Sequence, residues 1–196
     1  PSGSGLIGAL VYHGLETIRQ YGRDKLFETE EAPAIRDKHL EYFIDLAEQG
    51  YAGLQGPDDL DWIDKLETEN DNFRAALSWA LESPEVDPEK ALQLSGALRD
   101  FWDARGYTSE GYKWLDESLK KNPDAANSNR CRALAGAGLL SVRLSRFKDA
   151  SRYLEEALVQ ARQLNIPQLI IFSLLWSSNM LEDIEEASKR YQEAIA

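Results

Sequence analysis

Cysteine, histidine and methionine are nearly missing from this sequence: one Cys, one Met and two His among 196 residues. A single thiol, Cys131, excludes an intrachain disulfide and fits a reducing, cytoplasmic setting. His13 and His39 stand apart, with no Cys or carboxylate at ligand spacing, so no zinc site is expected. Cys131 opens a helical stretch and is expected to be a packed, structural thiol; pairing with the distant His39 is the catalytic alternative. Long apolar runs are also missing. The longest, residues 6–12 and 169–176, fall well short of the roughly 20 that a spanning helix needs. No basic stretch precedes residue 6, so no signal peptide is expected. Cations are scarce relative to anions: 22 Lys and Arg face 34 Asp and Glu, a net charge of -12. Phosphate backbones and anionic membrane surfaces both call for clustered cations, so the expectation is no nucleic acid and no membrane as partner of this segment.

Strand signals are lacking as well, since no alternating β-branched run is bounded by turns. No glycine is followed by lysine, so the phosphate loop Gly-x-x-x-x-Gly-Lys-Ser/Thr is absent and ATP turnover is not expected. Residues Gly3, Gly5 and Gly8 match the spacing Gly-x-Gly-x-x-Gly. A dinucleotide site also needs a preceding strand and a βαβ unit, and neither is present. That stretch reads as a linker. The acidic run Asp58, Asp59, Asp61, Asp64 lacks the glycine turn and closing glutamate of a calcium loop. It reads as a solvated helix start, where negative charge complements the helix dipole. These absences leave no cofactor, no metal and no catalytic constellation, and the chain is expected not to be an enzyme.

What is present is amphipathic helix. The composition is 43% hydrophobic and 29% charged, as in folded domains. Apolar spacing predicts helices over 15–29, 33–49 and 58–82. Gly50, Gly53 and Gly56-Pro57 separate the second from the third, and Ser83-Pro84 ends the third. From Pro88 onward an internal repeat appears. In each unit a small residue is followed four positions later by a large one and three later by another small one: Gly111-Leu115-Ser118, Ala150-Leu154-Ala157, Ala187-Tyr191-Ala194. A further helix precedes each of these, over 91–104, 131–144 and 168–180. Small side chains let a neighbouring helix approach closely, and the large one fills the adjacent groove. Such pairs cannot bury both faces alone and stack on one another.

This pattern resembles the tetratricopeptide repeat (TPR), with Gly138, Ala150 and Ala157 on that family's small positions. The first unit carries Arg99, and the third Leu175, where the family has a small residue. The resemblance implies an all-α fold of antiparallel helix-turn-helix pairs stacked as a right-handed solenoid. A second resemblance is to bacterial STAND-type signal-transduction ATPases that act as transcriptional regulators. Residues 15–26 look like the close of their winged-helix region; Leu54-Gln-Gly-Pro-Asp58, Glu69–Leu77 and 102–119 look like the helical region that follows. The expected division is 1–30, a linker plus winged-helix-like tail; 31–87, a helical pair outside the repeat pattern; and 88–196, repeats of about 88–125, 126–165 and 166–196.

In TPR arrays the first helix of each pair lines the concave groove. Carrying those positions over gives Asp100, Asp103, Arg132, Leu139, Val142, Phe172, Trp176 and Asn179 as candidate groove residues, grading from acidic to apolar. A protein, a peptide or a small-molecule inducer is the expected occupant. The alternative is that Leu139, Val142, Phe172 and Trp176 are core, or are covered by further repeats. The function these readings imply is a non-enzymatic binding scaffold, the sensor segment of a larger signalling NTPase. The alternative is an oligomerisation module, self-associating through an uncapped C-terminal end.

Overall fold

Turn residues and apolar periodicity divide the chain into helices joined by short connections. The computed structural model describes residues 32–179 together with 185, 188–190 and 192, and every regular element among them is helical. The helices are α1 (Ala32–Gly53), α2 (Asp59–Thr68), α3 (Asn70–Glu82), α4 (Glu89–Arg105), α5 (Thr108–Lys121), α6 (Ser128–Arg143), α7 (Phe147–Gln163) and α8 (Pro167–Ser178). The linker and winged-helix-like tail expected over 1–30 lie outside the described residues, as do His13, Ala187, Tyr191 and Ala194. The chain divides into two compact units, Pro1–His39 and Leu40–Ala196. Of the first, only the opening turns of α1 are described.

The helix ends follow their local chemistry. Before α4, the Asp87 carboxylate accepts from the Glu89 amide at 2.9 Å. At its far end Gly106 takes φ 75°, a left-handed cap open to glycine at no steric cost. Asn127 caps α6 by accepting from the Arg130 amide at 3.0 Å. One expectation is corrected. The single helix foreseen over 58–82 is two, broken at Glu69, whose backbone leaves helical geometry at φ -99°, ψ 7°. The Glu69 amide still bonds to Leu66, and Asn72 donates to the Glu69 carboxylate at 2.7 Å. Asn and Asp side chains at 70–72 compete for backbone groups and favour helix starts over helix interiors. The apolar period continues across the break, which is why the sequence reads as one helix.

In the second unit each helix from α2 onward packs on the next, and most also pack on the next but one: α4 on α6, α6 on α8. Polar bonds repeat at a matching distance along the chain. Arg74 meets Glu110, Asn129 meets Glu89, Arg143 meets Asp103 and Tyr153 meets Asp116, all 36 to 40 residues apart. The small repeat positions lie where helices close on each other. A methyl group on Gly138 would fall 2.5 Å from Leu154 Cγ; one on Gly111 would fall 2.7 Å from Trp102 and 2.8 Å from Leu140. Ala150, Ala157, Ser118, Leu115 and Leu154 are buried. One continuous core runs from Leu40 in α1 to Leu169 in α8, through Phe73, Trp102 and Leu134. Among the described residues no helix is long and apolar enough to cross a membrane.

Candidate functional site

Four helices, α1, α4, α6 and α8, contribute to one polar and aromatic face. The spacing on each is helical: Glu48 and Tyr51 on α1, Arg99 and Asp103 on α4, Arg132 and Arg143 on α6, Phe172 and Trp176 on α8. Residues three, four or eleven apart share a helix side. Glycines let the arginines cross between helices. Gly96 of α4 leaves room for Arg132, and Gly136 of α6 for Arg99; added methyl groups would lie 3.3 Å from Arg132 Nε and 2.9 Å from Arg99 Cβ.

The contacts form a relay. Arg132 donates Nη1 to the Glu48 carboxylate at 2.8 Å and lies 4.9 Å from the centre of the Tyr51 ring. Arg99 lies 5.3 Å from that same ring and 4.3 Å from the ring of Phe172. Phe172 and Trp176 are 6.2 Å apart, and Arg143 stands 5.0 Å over Trp176. Arg143 closes the series as a fork on Asp103, with bonds of 2.7 and 2.9 Å. Each cation–aromatic contact contributes about 0.5–2 kcal/mol depending on its desolvation.

Asp103, Arg132, Phe172 and Trp176 are thus brought into contact with this relay, and Asp100 joins it through Arg99 at 3.2 Å. Leu139 is a correction: at 2% exposure it belongs to the core, because its position on α6 turns between the packed helices rather than outward. Val142 is half-buried, and Asn179 is exposed where it closes α8. Nor does the face grade from acidic to apolar, since arginines interleave along it. Glu48, Tyr51, Arg99 and Arg143 were missed from the sequence. A signal for Arg99 existed, because it stands where the repeat pattern has a small residue.

Elsewhere the candidate groups are absorbed by structure. Asp64 of the acidic run pairs with Arg105. The Cys131 thiol donates to the Ala157 carbonyl at 3.4 Å, and burial pushes it up to about 11. Among the described residues no group of three or more His, Cys, Asp or Glu could hold a metal ion.

No family model matches the chain. In an alignment 178 positions long that covers 85% of the chain, it is 32% identical to proteins provisionally named HTH-type transcriptional regulators in Mycobacterium bovis and in the CDC 1551 and H37Rv strains of Mycobacterium tuberculosis. The chain spans 19% of the length of these curated relatives. Their name carries DNA binding, and it overturns the exclusion of nucleic acid drawn above from net charge. The physical reason is that a charge of -12 is a sum, whereas phosphate binding depends on where cations cluster.

Proposed function

We propose that this chain is a non-enzymatic receiving segment of a transcriptional regulator. In this reading its helices stack as TPR-like pairs in a right-handed solenoid over 88–196, with 31–87 as a preceding helical pair. The face on α1, α4, α6 and α8 takes up a protein, peptide or small-molecule inducer. Binding favours one arrangement of the array and so biases a nucleotide-driven STAND-type core in the same cytoplasmic bacterial protein, whose DNA-binding part delivers the output. The observation that carries the reading is the arginine–aromatic relay from Glu48 to Asp103. It draws on four helices at once, so an occupant that disturbs one ring or guanidinium is felt by all four. Similarity to named regulators supports the regulatory role.

Trp176→Ala in the full regulator tests this. The side chain is half-buried within the relay, between Phe172 and Arg143, so loss of inducer-dependent transcription is expected with the far-ultraviolet helical signal retained. A wild-type transcriptional response would remove the face from the signalling path. Global unfolding would make Trp176 core instead.

A second reading, oligomerisation, is favoured by α8. Its sequence is apolar on nearly every side, yet Ile171 is 41% exposed. Helices apolar all round are usually covered. Light scattering over a concentration range separates the two, because a strict monomer removes the oligomeriser.

A further inference from the structure

Among the cations of the relay, Arg99 has the least complete bonding. Arg132 and Arg143 each hold a carboxylate in a fork. Arg99 does not. It is 4% exposed, and its bonds are long for a cation: Nε to the Asp100 carboxylate at 3.2 Å and Nη2 to the Tyr51 hydroxyl at 3.3 Å. Charge-assisted bonds are ordinarily 2.7–2.9 Å. Its Nη1 is buried with no acceptor, and so is Nε of Arg132 on the neighbouring helix. A buried donor without a partner carries its full desolvation cost, more so when charged.

Resting on the receiving-segment reading above, we propose that this place is an oxyanion site, where a carboxylate or phosphate group of the occupant bonds the edge of the Arg99 guanidinium. Rings of Tyr51 and Phe172 lie against the guanidinium. Its donors point in its own plane, so the missing bond must come from a group at its edge. Both rings are only half-buried, so an occupant reaches Arg99 by displacing a ring edge rather than by opening the core. The glycine at 136 keeps the passage for the Arg99 stem clear. An oxyanion fits better than a second cation or a neutral group, because only one carboxylate, that of Asp100, touches Arg99. The net charge of -12 repels anions in general, so a saturable anion response reports this local cation.

The test uses the whole chain labelled with 15N-arginine. It is titrated with sodium phosphate in one arm and sodium acetate in another, against sodium chloride at matched ionic strength. The Arg99 Nε resonance, assigned with Arg99→Lys, is expected to shift saturably, and the thermal midpoint to rise by several degrees in the same arm. The stronger arm names phosphate or carboxylate as the source. Arg99→Met should lose both responses, while Lys113→Gln, which removes a charge from exposed α5 surface, should keep them. Should Arg99→Met fail to fold, the wild-type titration decides. No saturable shift in either arm, or one shared by the exposed arginines, overturns the proposal. No anion response, with Trp176→Ala still abolishing inducer-dependent transcription in the full regulator, sinks the oxyanion site alone; no anion response together with a wild-type transcriptional response of Trp176→Ala sinks the receiving face as well.

Discussion

At Gly138 the closeness of two helices rests on a single missing methyl group. Leu154 occupies the space that a side chain there would need. Gly138→Val is therefore expected to destabilise the fold by about 2–3 kcal/mol, since overpacking outweighs the modest helix-propensity gain over glycine. Urea denaturation measures it, and an unchanged midpoint would mean the helices do not approach so closely. Cys131 gives a second residue-scale expectation. Burial raises its thiol to about 11 from an ordinary value of 9.0. The folded chain thus holds the proton more tightly than the unfolded one. Its contribution to stability is complete below pH 9 and declines as the pH climbs toward 11. Ellman's reagent at pH 8 should label the thiol only at the rate of unfolding, and prompt labelling of the native chain would contradict its burial. Both residues were legible in advance, Gly138 as a small repeat position and Cys131 as a packed thiol. Arg99 was legible only as a departure from the repeat. Its sequence neighbours say nothing of Tyr51 and Phe172, which come from helices 48 residues before and 73 residues after it.

Between elements, the connection from α5 to α6 depends on Arg130. Its side chain is buried and donates to the Leu119 and Asn122 carbonyls at 3.2 and 2.6 Å, and to the Glu156 carboxylate at 2.6 Å. At the end of α5 this one guanidinium adds a second donor to the Leu119 carbonyl, which also accepts from the Asn122 amide, bonds the Asn122 carbonyl beyond the helix and ties the turn to α7. Arg130→Met keeps most of the volume and removes the donors. A loss of roughly 1–3 kcal/mol is expected, because the half-buried Asn122 carbonyl and the Glu156 carboxylate lose their donor while the Leu119 carbonyl keeps only the Asn122 amide. Denaturation of the variant beside Asn127→Ala, which removes only the α6 cap and should cost about 1 kcal/mol, separates the tie from the cap. Equal losses would mean that Arg130 acts only at its own helix start. Helix starts and stops such as Asp87, Gly106 and Asn127 are written in local chemistry and can be read from sequence. The break at Glu69 is not, because Leu66, Phe73 and Ala76 keep one apolar period across it, and only competition for backbone groups at 70–72 divides α2 from α3. Charged residues on helices are ordinarily solvated, so the pairing of arginines with rings two to five helices away left no periodic trace.

For the second unit as a whole, the decisive fact is that the main core runs unbroken from α1 to α8, with a small second cluster at Leu158 and Leu174, rather than dividing at the boundaries expected from the sequence repeat. Stacked pairs that bury little against one another would melt piecemeal, as long repeat arrays can. Here helices pack on the next and on the next but one, and bonds such as Asn129 to Glu89 and Tyr153 to Asp116 bind each stretch to another 37 to 40 residues away. Opening any one pair exposes apolar surface on both of its neighbours, so the free-energy cost of partial unfolding approaches that of the whole. A single cooperative transition is expected. The 5 tryptophans suit the measurement, for Trp62, Trp79, Trp102, Trp114 and Trp176 fall on five different helices. Tryptophan fluorescence and the helical signal at 222 nm should trace coincident urea curves. Leu134→Ala, in the middle of α6 and fully buried, should move both curves together by about 2–5 kcal/mol through the cavity it leaves. If fluorescence and helicity instead separated, with the variant shifting only one of two phases, the repeats would be folding as independent neighbours and the relay from Glu48 to Asp103 could not hold four helices to a common state.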